Sequence, residues 1–244
     1  MLAGISADYY LRLEQGREAH PSPAVLEGLV RALALDADGA AYLYRLTRPV
    51  ASTPRPETVS PSLIGLITSI PSTPAHVVDR FLTILHVNPL AELLSPGFRV
   101  GNNLVELVFH PDLPRDASWA TTARRAVASL RASVDPHDSG PEITALLTRL
   151  RAADPAFGPL WDRHEARTPA GHPATFGHPQ YGTIELRYQT FDLPGTGGQA
   201  LGMYVPAPGS SSAEKLQMLS LLVGAPTAES VRVAPRKTRG TPAV

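Results

Sequence analysis

The sequence has no cysteine. That excludes disulfides, thiolate nucleophiles and cysteine-built zinc sites. It has no net charge either, because 22 basic and 22 acidic side chains cancel. No uninterrupted apolar run approaches the ~20 residues that a membrane-crossing helix requires, so no membrane span is expected. Met1 to Ser6 hold neither a basic nor an apolar segment, so no secretory signal is expected and a cytoplasmic location is. Lysine is almost missing: Lys215 and Lys237 are the only two among the basic residues. The motifs Gly-x-Ser-x-Gly, Gly-x-x-x-x-Gly-Lys and His-Glu-x-x-His do not occur. No enzyme is expected on that ground. His164, His172 and His178 are spaced across a Pro/Gly-rich stretch with no carboxylate at helical spacing. They predict no metal triad, and no other cofactor is expected.

What is present describes a folded chain. Apolar residues make up 43% of 244 residues, enough for one or two domains with a sizeable core. Positions 1–49 carry five arginines (Arg12, Arg17, Arg31, Arg45, Arg48) against six acidic residues, and the end from 223 carries four cations against Glu229. Neither end offers a broad basic face, so charge alone does not argue for nucleic acid.

Positions 50–62 hold three prolines among serines and threonines and read as a linker. Before it lies a small all-α unit over 1–49. Ser6 caps a helix from Asp8 to Gln15 that Gly16 stops, Ser22-Pro23 opens a second, and Asp38 to Thr47 form a third. After the linker, 63–222 read as a second domain. Leu63, Leu66, Ile67 and Ile70 mark a short helix, and Ala75 to Val87 a hairpin broken at Asp79-Arg80. Short helices follow over Pro89–Leu94 and Leu104–Phe109, then longer amphipathic ones over Trp119–Val134 and Glu142–Arg151. From Pro155 a helical spacing runs through Phe157, Leu160, Trp161 and His164. Two strands, Thr183–Leu193 and Ala200–Val205, flank a glycine turn at Gly195 to Gly198, and Ser211 caps a last helix to Leu222. This order predicts an α+β fold with an antiparallel sheet and flanking helices. The tail over 223–244 is expected to be disordered.

Two stretches carry a family resemblance. Gly4 to Arg17, followed by His20 to Pro23, resembles the turn and recognition helix of an XRE-type helix-turn-helix domain. Positions 61–222 resemble the MmyB-type ligand-binding domain of transcription regulators, whose fold is PAS-like. The residues that carry this are Asn88 to Ala91, Asn103 to Phe109, Trp161 to Arg167 and His178 to Tyr188. The resemblance implies a DNA-binding regulator, a homodimer, whose second domain holds a small acyl or fatty-acid-like ligand. It also places Ser6, Ala7, Asp8, Tyr9 and Arg12 where a recognition helix meets base edges. Helix-turn-helix domains of this kind have two further helices before the turn. Leu11, Leu13, Val25 and Leu29 would face them, at about 1.5–3 kcal/mol for each side chain left wet. Operator binding is therefore expected only where those helices are present. The alternative is a stand-alone ligand-binding or dimerisation module that has lost DNA binding.

For the ligand site the residues suggest a cationic end on an apolar hollow. Arg167 has the forked guanidinium that holds a carboxylate bidentately, with His164 one helical turn before it. Tyr188 shares a sheet face with Ile184 and Leu186, and Asn88 and Asn103 sit at element boundaries. Val77, Phe81, Ile84, Leu104, Leu107, Phe109, Ile184 and Leu186 could supply walls. Each has a plainer reading as well: Asn88 as a helix cap before Pro89, Trp161 as core, His164 and Arg167 as partners of Asp162 or Glu165.

Overall fold

The structure is a computed structural model that describes residues 4–18, 20–47, 58–111, 115, 118–168 and 171–223. Linker positions 50–57 and tail positions 224–244 lie outside the described residues. Ser6, Ser22 and Asp36 each accept a backbone N–H at the start of α1 (Ala7–Glu14), α2 (Pro23–Ala32) and α3 (Ala37–Leu46). Gly16 takes φ +66° just beyond α1, a conformation in which glycine escapes the Cβ clash. α1 buries none of its residues, whereas α2 buries Leu26 and Leu29.

Ser60 caps α4 (Pro61–Thr68), and the hairpin β1 (Ala75–Val78) and β2 (Ile84–Val87) follows. Among the described residues five helices then intervene: α5 (Pro89–Leu94), α6 (Leu104–Val108), α7 (Trp119–Ser133), α8 (Pro141–Ala153) and α9 (Phe157–Trp161). The chain closes with β3 (His172–His178), β4 (Gly182–Asp192), β5 (Ala200–Val205) and α10 (Ser211–Leu222), capped by Ser210 rather than Ser211. All strand pairs are antiparallel, in the order β2-β1-β5-β4-β3. The α+β architecture is therefore as the element order predicts.

Strand alternation sorts side chains between two cores. On one face, Ile184, Leu186, Tyr188 and Tyr204 meet Leu90, Val105, Phe109, Val127, Leu150 and Phe157 from the inserted helices. On the other, Ala75, Val77 and Leu201 pack beneath Ile67 of α4.

The sequence shows two of these features imperfectly. β3 is an edge strand whose residues alternate between half-buried and exposed with none fully buried, and Pro173 lacks the N–H a central strand would need. A stretch with Pro173 and Gly177 and no β-branched pair therefore reads as loop. The helix expected to reach His164 ends at Trp161, and His164 itself sits at φ +52°, outside helical geometry. His164 and Arg167 consequently do not share a helix face.

Asn88 and Asn103 are structural joints. Asn88 Oδ1 accepts from Ala91 N at 3.0 Å and Ala75 N at 3.1 Å, and its Nδ2 donates to Thr73 O. Asn103 Oδ1 accepts from Val105 N and Glu106 N, while Nδ2 donates to Phe81 O at 2.7 Å and to Thr83 Oγ1. Both are almost fully buried. Asn103→Ala strands several buried partners at once, and a loss of about 2–3 kcal/mol is expected in urea unfolding at pH 7. A loss below ~0.5 kcal/mol, the scatter of ordinary surface changes, would contradict this role.

Candidate ligand-binding cleft

A cleft of about 720 Å³ opens between the inner sheet face and the helices α6 and α7, a size suited to a small organic molecule. Its floor is aromatic. Tyr188 and Tyr204 lie with ring centres 4.9 Å apart, Phe176 meets Tyr204 edge-on at 5.0 Å, and Phe98 stacks on Tyr204 at 5.5 Å. Leu104, Val105, Leu107 and Val108 of α6 form an apolar wall. The opposite wall is one face of α7, where Ser118, Thr122, Arg125, Ala126 and Ser129 recur at helical spacing. Small side chains on that face leave the space that larger ones would fill.

Polar groups gather where β3 begins. His172 is in register with Tyr188, their rings 5.3 Å apart, and both line the cleft with Arg125. Burial lowers the His172 pKa, and the positive charge of Arg125 lowers it further. His172 is thus biased toward its neutral form beside a cation. Among the described residues no carboxylate forms an ion pair with Arg125. Tyr188, also buried, has its hydroxyl pushed up to about 12 by desolvation.

Beneath the floor sits His76, fully buried in β1. Its Nε2 lies 3.3 Å from the Tyr188 hydroxyl and its Nδ1 has no hydrogen-bond partner. A second hollow of about 590 Å³ lies between the hairpin turn and α8. There the cations are already engaged: Arg80 with Asp138 and Arg149 with Glu106.

Of the five residues expected at the ligand site, Tyr188 alone lines the cleft. Asn88 and Asn103 have their hydrogen-bonding capacity spent within the fold. His164 and Arg167 are exposed and line no part of it. Glu165 instead takes Arg124 at 2.6 Å, and Asp162 takes Arg151 at 3.2 Å. Of the expected wall residues, Leu104 and Leu107 line the cleft, whereas Phe81 lines the second hollow and Val77 packs under α4. Ile84, Phe109, Ile184 and Leu186 are core. Arg125, His172 and His76 are the residues that sequence reasoning misses. The small-residue face of α7 flanking Arg125 is the signal that could have found it.

The residues expected at DNA occupy the first turns of α1. Ser6 accepts from Tyr9 N at 3.1 Å, Ala7 is the first helical residue, and Asp8 pairs with Arg12 at 2.8 Å beside the Tyr9 ring.

His76 makes the fold acid-sensitive. Burial lowers its pKa to about 4, against an ordinary value of 6.5. Below pH 6.5 the unfolded chain binds a proton that the folded chain refuses until about pH 4. Stability therefore falls across that window, by about 3 kcal/mol in all. Urea unfolding from pH 7 to 4 is expected to show a flatter profile for His76→Phe than for the wild type; superimposable slopes would contradict it.

Among the described residues no helix is long and apolar enough to cross a membrane. A comparison with curated proteins finds no match to the chain. The family model of the MmyB-like transcription regulator ligand-binding domain matches residues 59–219, which take in the whole sheet, the inserted helices and the cleft between them. The chain belongs to that family, and its cleft lies in the ligand-binding domain of a transcription regulator.

Proposed function

We propose that the cleft binds a small acyl acid, with its carboxylate on Arg125 and its chain over the aromatic floor, and that occupancy alters DNA binding by a homodimeric cytoplasmic regulator. The observation that carries this reading is Arg125, a guanidinium in the cleft without a carboxylate partner among the described residues, opposite an apolar surface. A planar fork of donors suits a carboxylate. Neutral His172 beside it can add a hydrogen bond without competing for the charge. About a dozen methylenes at ~0.8 kcal/mol each give ~10 kcal/mol gross, against ~4–15 kcal/mol lost on association. The antiparallel sheet with its helical layer supports a PAS-like description of this sensor.

A route from cleft to N-terminal helices supports the regulatory half. Ser129 lines the cleft. Two residues on, Arg131 lies over the Trp161 ring, donates to Trp161 O at 2.6 Å and reaches the Tyr42 hydroxyl of α3 at 3.4 Å. Asp38 of α3 accepts from Thr168 N at 3.0 Å and Thr168 Oγ1 at 2.8 Å, four residues before His172. Ligand that favours one seating of α3 over another would shift the placement of α1, with Ser6, Ala7, Asp8, Tyr9 and Arg12 as its DNA-facing positions.

That α1 buries none of its residues favours a second reading, a ligand-binding module that does not hold an operator by itself. A band-shift assay with this chain and promoter fragments separates the two.

Native mass spectrometry of protein purified without detergent is expected to show a dimer carrying an acid. Arg125→Gln is expected to weaken binding of a C12 or C14 fatty acid at least tenfold, about 1.4 kcal/mol or more. Unchanged affinity in the folded variant would remove Arg125 from the site.

A further inference from the structure

Gly202 stands in the middle of β5, paired with His76 of β1 on one side and Thr190 of β4 on the other. Glycine is unfavourable there, since a strand interior gains nothing from its freedom and loses a packing side chain. Its backbone does not need glycine, for it is not among the positive-φ residues. The space above it does. A Cβ at this position would meet His76 Nε2 and the Tyr188 hydroxyl at 2.5 Å each, and Tyr188 Cε2 at 2.8 Å. Tyr188 therefore lies down across the strand, its ring edge pressed onto the bare backbone and its hydroxyl against His76.

That arrangement is poor for stability alone. His76 is buried without a counter-charge and with Nδ1 unpartnered, where an aliphatic residue would leave nothing unsatisfied. What it accomplishes is geometric: the ring that forms the cleft floor is held at its lowest position. Building on the acyl-ligand reading, we infer that Gly202 is a specificity-determining position. By admitting Tyr188 onto the sheet, and with His76 as the positioning residue that keeps it there, Gly202 sets the depth of the cleft and hence the length of the acid it accepts. Any side chain at 202 lifts the Tyr188 ring into the space the ligand occupies.

The test uses the full chain, a series of saturated fatty acids from C8 to C16, and crystal structures of the wild type and Gly202→Ala. Gly202→Ala is expected to raise the Tyr188 ring and to weaken the longest acids at least tenfold, leaving the shortest within about twofold. Tyr188→Leu, which removes the ring without adding bulk at 202, is expected to move preference toward longer acids. It serves if Gly202→Ala does not fold. A Gly202→Ala structure with Tyr188 unmoved, or identical chain-length profiles for wild type and the folded variants, overturns the inference. Failure of the wild type to bind any of the acids overturns the acyl reading instead, while the Tyr188 position in Gly202→Ala still decides the role of Gly202.

Discussion

β1 and β5 are hydrogen-bonded neighbours at the centre of the sheet, although nearly the whole ligand-binding domain lies between them in the chain. Everything else is arranged around that pairing. Once the first and last strands are joined, α5 to α9 must be accommodated on one face, because the other is occupied by α4. The inserted layer covers the sheet unevenly. Phe109, Phe157 and Leu150 fill the core among the inserted helices, but toward the β3 edge α7 presents small side chains, and a gap remains over the aromatic floor. The cleft follows from closing a sheet over a helical layer that is thinner at one end.

The electrostatics follow the same logic. Cations beside the second hollow are neutralised within the fold, as Arg80 is by Asp138 and Arg149 by Glu106. At the cleft, a half-buried Arg125 lies beside a histidine whose pKa burial lowers. A charge of this kind, partly withdrawn from water, loses solvation that an anion restores most fully. In the proposed reading, selectivity for an acid over its ester or alcohol would be a property of that imbalance rather than of shape.

Much of the fold was readable from local signals. Ser6, Ser22 and Asn88 read as caps in the sequence and are caps in the structure, Asn103 at its element boundary is a cap as well, and the alternation Ile184, Leu186, Tyr188 marks an inward sheet face. The site was less readable, because its polar residues come together only through tertiary contacts. Arg125 and His172 are distant in sequence, and His172 opens an edge strand disguised by Pro173 and Gly177. Arg167 attracted attention through its spacing from His164, but the helix that would align them ends at Trp161. Asn88 and Asn103 have the chemistry of ligand contacts and are used by the backbone instead. His76 left no trace in the pattern, since one histidine in a β-strand is as consistent with a surface as with a core.

Beside the Asp38–Thr168 and Arg131–Tyr42 bonds, the joint between α3 and the sensor runs through helix ends. Arg45 donates to Ala132 O near the end of α7, Arg131 to Trp161 O at the end of α9, and His137 Nε2 meets Leu46 O at the end of α3 at 2.9 Å. Three helix termini, each with carbonyls lacking an intrahelical donor and a partial negative charge, are stoppered by basic side chains from neighbouring elements. In the proposed reading, a displacement of α3 would have to break these directional bonds before new ones form, so reseating would proceed by discrete steps, as a latch does rather than a bearing.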